Sequence, residues 1–165
     1  MTETITAYHE AGHAVMAYQF GAMIESIDIG RDPAGPGDRY GAATIVWHFD
    51  WQRSKEGRQK AAMVALAGPA AEMIHSQEPY HPGLIAEWAE DWRQAWEAYA
   101  PLVPDDRKRL AALEQVTVDV FGHLYSDEHW AGLAALADEI EAHQMLEWPE
   151  IQETLSQWLG IPRQR

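Results

Sequence analysis

The chain has 165 residues, 47% of them hydrophobic, and a formal net charge of −14 from 12 basic and 26 acidic side chains. That length fits one compact domain able to bury an ordinary core. The absence of cysteine excludes a thiolate metal site, a catalytic thiol and a disulfide framework. The acidic balance argues against nucleic acid as the main partner, because phosphate binding needs clustered Lys and Arg. The two short basic groups, Arg53, Lys55, Arg58 and Lys60, then Arg107, Lys108 and Arg109, read as solvated helix faces. Met1-Thr-Glu-Thr does not resemble a signal peptide, and no run approaches the roughly 20 apolar residues of a membrane span. The chain reads as soluble and cytoplasmic, with no membrane segment.

In chain order, Ile5 to Phe20 predicts a helix stopped by Gly21. Ile24 to Ile29 and Ala42 to Phe49 predict two strands of a hairpin. The Gly- and Pro-rich residues 30–39 between them predict a long, mobile loop. Ser54 is placed to cap a helix running to about Ser76, with Gly68-Pro69 bending or interrupting it. A loop over Gln77 to Gly83 precedes helices over Leu84 to Ala100, Asp105 to Tyr125 and Asp127 to Leu146. A last short helix has Pro149 in its first turn and ends at Gly160. The expectation is a mainly helical α+β domain spanning residues 1–165, with a metal-binding helix, a small β-hairpin and a helical bundle.

The chemistry lies in His9-Glu-Ala-Gly-His13. Residues four apart on a helix share a face, so both imidazoles can reach one ion, and neutral imidazole suits zinc. Glu10 sits about 100° round the helix, placed to reach a water on the metal and act as general base of a peptidase. Gly12 inside a helix costs roughly 1 kcal/mol against alanine, which suggests close approach of another backbone. A zinc site needs a third protein ligand. Glu87, Glu90 and Asp91 on the helix predicted from Leu84 are candidates, with His48, His75 and His81 as alternatives, and spacing alone does not choose between them.

Ala7-Tyr-His-Glu-Ala-Gly-His-Ala-Val15 resembles the metal helix of the peptidase domain of FtsH, the ATP-dependent zinc protease family. The likeness extends over roughly residues 5–155. Ile27-Asp-Ile-Gly30 and Gly41-Ala-Ala-Thr44 resemble the family's two strands, and Leu66-Ala-Gly-Pro-Ala-Ala-Glu72 its next long helix. Glu90-Asp-Trp-Arg-Gln-Ala95 falls where the family has an Asn-Asp pair and a later alanine. The resemblance implies Zn2+ as cofactor, Asp91 as third ligand, and the first strand as an edge against which an extended substrate lies. Pro69 replaces a family arginine, and Glu87-Trp-Ala-Glu90 replaces a Gly-Ala-Ser-Asn lead-in, giving a bulkier and more acidic approach to Asp91. Trp88 and Trp92 either narrow access to the metal or pack together on one helix face.

No G-x-x-x-x-G-K-[ST] sequence is present, so the chain cannot hydrolyse ATP by that route. The function expected is therefore an ATP-independent zinc metallopeptidase acting on peptides or unfolded polypeptides, with Glu10 catalytic and His9, His13 and Asp91 on the metal. The alternative is a non-catalytic zinc-bearing interaction or regulatory module from the same family. The family's ATPase-bearing members assemble as hexamers, which raises homo-oligomerisation for this chain.

Overall fold

Two helices cross at the centre of the fold and set the position of everything else. The computed structural model describes residues 2–30 and 41–162. Helix α1 (Thr2–Gln19) is buried nearly all round from Thr6 to Tyr18, with Ala7, Ala11, Ala14, Val15 and Ala17 fully buried. A helix of that composition has to be enclosed by other elements. It stops where Gly21 takes a positive φ of 81°, a conformation that carries almost no penalty for glycine. Helix α2 (Lys55–Ser76) is capped by the Ser54 hydroxyl, which accepts from the Gly57 N–H, and ends on Gln77 in the left-handed region. It runs unbroken through Pro69, so the interruption expected there does not occur. The cost of the missing N–H is offset by the complete burial of the surrounding turn, Leu66 to Ala71.

The small glycines and alanines explain how closely the two helices pack. A side-chain carbon on Gly12 would lie 2.4 Å from the Ala67 carbonyl oxygen and 2.7 Å from the Ala71 methyl. Gly12 is therefore required by the approach of α2, as its cost inside a helix suggested.

Strands β1 (Met23–Asp28), β2 (Ala42–Val46) and β3 (Met145–Glu147) form one antiparallel sheet in the order β2-β1-β3. β1 buries Ile24 and Ile27, with a register irregularity between Ile24 and Ser26. This order corrects the expectation that the first strand is an edge. β1 is central, and Leu146 of β3 pairs opposite Ile27 on the side away from β2. The edge on the metal side belongs to β2. From residue 31 on, the expected long loop lies outside the described residues.

Three helices complete the bundle: α4 (Asp106–Leu124), α5 (Asp127–His143) and α6 (Trp148–Leu159). The Asp105 carboxylate caps α4 by accepting from Lys108 N–H, and Glu147 and Glu150 form a reciprocal capping box at α6. Helix α5 ends three residues earlier than expected. Gln144 turns left-handed and its carbonyl accepts from Ile29 N–H, which leads the chain into β3. The helix expected over Leu84 to Ala100 is also shorter. Two 3-10 turns, Pro82–Leu84 and Ala86–Trp88, flank an extended Ile85 and lead into α3 (Ala89–Tyr99). Arg109 departs from the expected solvated face: it is buried, donates to the Val103 and Pro104 carbonyls, and lies over the Trp96 ring at 4.6 Å. Among the described residues, no helix is long and apolar enough to cross a membrane.

Candidate metal centre

His9 and His13 project from one face of α1 against α2, both more than nine-tenths buried. Each ring is fixed from behind through Nδ1. His9 Nδ1 lies 2.6 Å from Glu72 Oε2, and His13 Nδ1 lies 2.7 Å from the Val64 carbonyl oxygen. Both partners are acceptors, so each Nδ1 donates backward and each Nε2 faces forward, where it can offer a lone pair once the proton held there is lost. This is the orientation in which second partners hold metal-binding imidazoles. Glu72 is itself held, because Trp88 Nε1–H donates to the same Oε2 at 2.6 Å. The shortened α3 has a purpose in this arrangement: the 3-10 turn before it points the Trp88 indole inward.

Asp91, in the first turn of α3, closes the group. Its Oδ2 lies 2.8 Å from His9 Nε2 and its Oδ1 3.3 Å from His13 Nε2, while the two Nε2 atoms are 3.1 Å apart. Donors around a tetrahedral zinc at about 2.0–2.1 Å lie roughly 3.3 Å from one another. The three groups thus fit one small cation in number, spacing and chemical type, and their ligand atoms all fall within 4.8 Å. Gly68 leaves the space for it. A side-chain carbon there would sit 2.4 Å from His13 Nε2 and 2.7 Å from His9 Nε2.

The electrostatics of the group without metal follow from this crowding. Burial acts to lower both histidines, but bonds and charge from Asp91 outweigh it, and His13 is raised to about 9. His9 is also raised, with Glu72 helping. Burial opposes ionisation of Asp91, yet the two imidazoles hold its carboxyl far below the usual carboxylate range. The cluster therefore keeps a proton that a cation has to displace.

His13 and Asp91 of this group reach the lining of a cleft of about 460 Å³, with His9 behind them. Glu10 and His13 of α1, Val64 and Ala65 of α2 and Asp91 of α3 line its inner end, and β2 runs along one side from Ala42 to Ile45. Glu10 is 5% exposed, and its side chain lines the same cleft as His13 and Asp91. Gly41 is forced by it: a side-chain carbon there would lie 2.9 Å from Glu10 Oε1 and 2.6 Å from the Thr6 methyl.

The other sequence candidates stand apart from this group. Glu87, His48 and His75 are exposed, His75 stacking on Tyr8 at 4.0 Å. His81 faces Glu114 at 3.5 Å, and Glu90 turns to Arg93 and Gln94. Neither Trp88 nor Trp92 lines the cleft. Trp92 packs edge-on against His81 at 5.1 Å and tilts towards Trp96. Sequence reasoning did not place Glu72 or Gly68 at the imidazoles, and it read Trp88 as a gate or a packing residue rather than as the donor that holds Glu72. An acid alone in the apolar run Leu66 to Met73 was the available signal for the first. No family model matches the chain, and a search of curated proteins finds no match.

Proposed function

We propose that this protein is a zinc metallopeptidase of the FtsH-like type that hydrolyses peptides or unfolded chains in an ATP-independent reaction. The observation that carries this reading is the convergence of His9, His13 and Asp91, two of which line a cleft that also holds Glu10 and runs along the edge of β2 away from β1. A zinc ion held by these three groups supplies Lewis acidity towards a carbonyl and a water molecule.

The chain's own residues do the rest. Glu72 and the Val64 carbonyl hold the imidazoles with Nε2 forward, so the ligand set is formed before a cation arrives. Among the described residues, the N–H and C=O groups of β2 that face away from β1 are not paired with another strand, and they offer main-chain hydrogen bonds to an extended segment, which gives affinity with little dependence on sequence. Glu10 takes the proton from the attacking water as the new C–O bond forms. The same carboxyl then delivers it to the amine nitrogen as the C–N bond breaks. The cleft's inner end, walled by Val64 and Ala65, keeps bulk water from that proton transfer. The reading places the protein in a reducing cytoplasm, in keeping with its lack of cysteine.

The test is Glu10→Gln, which keeps the shape of the side chain and removes its basicity. With zinc bound at wild-type stoichiometry, cleavage of casein is expected to fall by about 10²–10⁴. Zinc-loaded Glu10→Gln cleaving as fast as wild type would contradict the mechanism.

A further inference from the structure

The cleft has two unlike walls. One is apolar, formed by Ala43 and Ile45 of β2 with Trp47 and Trp51 beyond them. The other is a stripe of α3 made by Glu90, Gln94 and Glu97, whose spacing puts all three on one helix face. Among the described residues, no lysine or arginine lines the cleft. Arg93, beside the stripe, donates to Glu90 at 2.8 and 2.5 Å and to Glu97 at 2.6 Å. Two carboxylates therefore share one guanidinium, and a net negative charge is left over. Their side chains are 62% and 65% exposed. Ion pairs this exposed are weak and exchange partners readily. Deeper in, the buried Glu10 carboxylate adds to the same field.

An extended segment laid on the edge of β2 away from β1 sends alternate side chains into the cleft. Such a side chain meets the apolar wall along its length and the α3 carboxylates at its tip. Arginine and lysine have that construction, an apolar stem with a cationic end. A glutamate side chain would bring like charges together instead. The chain's charge of −14 acts in the same direction at longer range.

We propose that the cleft selects basic polypeptide segments, with arginine or lysine directed at Glu90 and Glu97, and rejects acidic ones. This rests on the reading of the cleft as a peptide-binding site given above, and it names the substrate class.

The experiment separates the two. Fluorescein-labelled unstructured peptides, matched except for central Arg, Gln or Glu pairs, are titrated by anisotropy against zinc-loaded Glu10→Gln protein at low and high salt. The Arg peptide is expected to bind about tenfold more tightly than the Gln peptide at low salt, with the Glu peptide weakest. The advantage shrinks at high salt. In the background of Glu90→Gln with Glu97→Gln it is expected to fall to about twofold or less. A control of equal charge change far from the cleft, Asp127→Asn with Glu128→Gln, keeps it. Both pairs are exposed, so far-UV circular dichroism should match wild type. Equal binding of the three peptides, or equal loss of the advantage in both double variants, overturns the proposal. Cleavage by the wild-type protein is scored separately. Peptides discriminated by affinity but left uncut refute the peptidase reading and leave selection standing, whereas peptides cut at equal rates refute selection alone.

Discussion

The two halves of the metal centre are built by different physics. On the α1–α2 side, Gly12, Ala67, Gly68 and Ala71 bring two helices almost backbone to backbone, and every ring nitrogen not facing forward is bonded. On the α3 side, the helix starts without a side-chain cap, and the Asp91 side chain is 15% exposed, between exposed Glu90 and half-buried Trp92. The imidazole pair is thus fixed by packing, whereas the carboxylate is brought in by a short helix tied down through Trp88. The comparison teaches that the α1–α2 packing fixes where the proposed cation would sit, and that α3 would decide how well it is held.

Changes on the rigid half break this division most severely. Gly68→Ala places a methyl 2.4–2.7 Å from both Nε2 atoms, where the ion would be. Zinc affinity by calorimetry is expected to fall by more than the roughly 10–100-fold typical of losing an orienting partner. Glu72→Ala takes the acceptor from His9 Nδ1 and Trp88 Nε1 together. The loss in zinc affinity is expected to be about 10–100-fold, and urea unfolding of the metal-free protein should show a cost of about 1–3 kcal/mol.

A smaller effect comes from protons. His13 is raised to about 9 in the metal-free protein, so at pH 7 the cluster holds a proton that zinc must displace. The metal-free state binds one proton more than the loaded state below that value, so affinity rises with pH. The expected slope is about tenfold per pH unit between 7 and 9, levelling above 9, with about one proton released per ion in buffers of different ionisation enthalpy. A slope of zero across that range would mean that the imidazoles are not the ligands. Trp88→Phe is the mildest change, since it removes one hydrogen bond and keeps the ring. It should cost about 1 kcal/mol of stability and less than about tenfold in zinc affinity, and thereby measure how far α3 depends on that tie.

Much of this centre was legible in the sequence because it depends on local spacing. His9 and His13 four apart, Ser54 three residues before Gly57, and glycine at position 21 each encode geometry within a single turn. Asp91 was not legible in that way. Glu87, Glu90 and Asp91 are equivalent by spacing, and only the resemblance singled out the one that the fold turns inward. The three-residue β3 was missed because its pairing with β1 is a tertiary contact across more than a hundred residues, while its composition continues that of α5. The central position of β1 follows from the same omission. Arg109 was misread because its burial under Trp96 depends on the turn at Val103 and Pro104, which charge counting does not register.

The central claim is that three side chains from two helices hold one zinc ion. It is tested most directly by equilibrium dialysis of wild-type, Glu10→Gln and Asp91→Ala proteins against zinc, with metal counted by elemental analysis. One zinc per chain is expected for wild type and Glu10→Gln, and none retained by Asp91→Ala. Wild-type protein without stoichiometric zinc, or Asp91→Ala retaining it, would contradict the account.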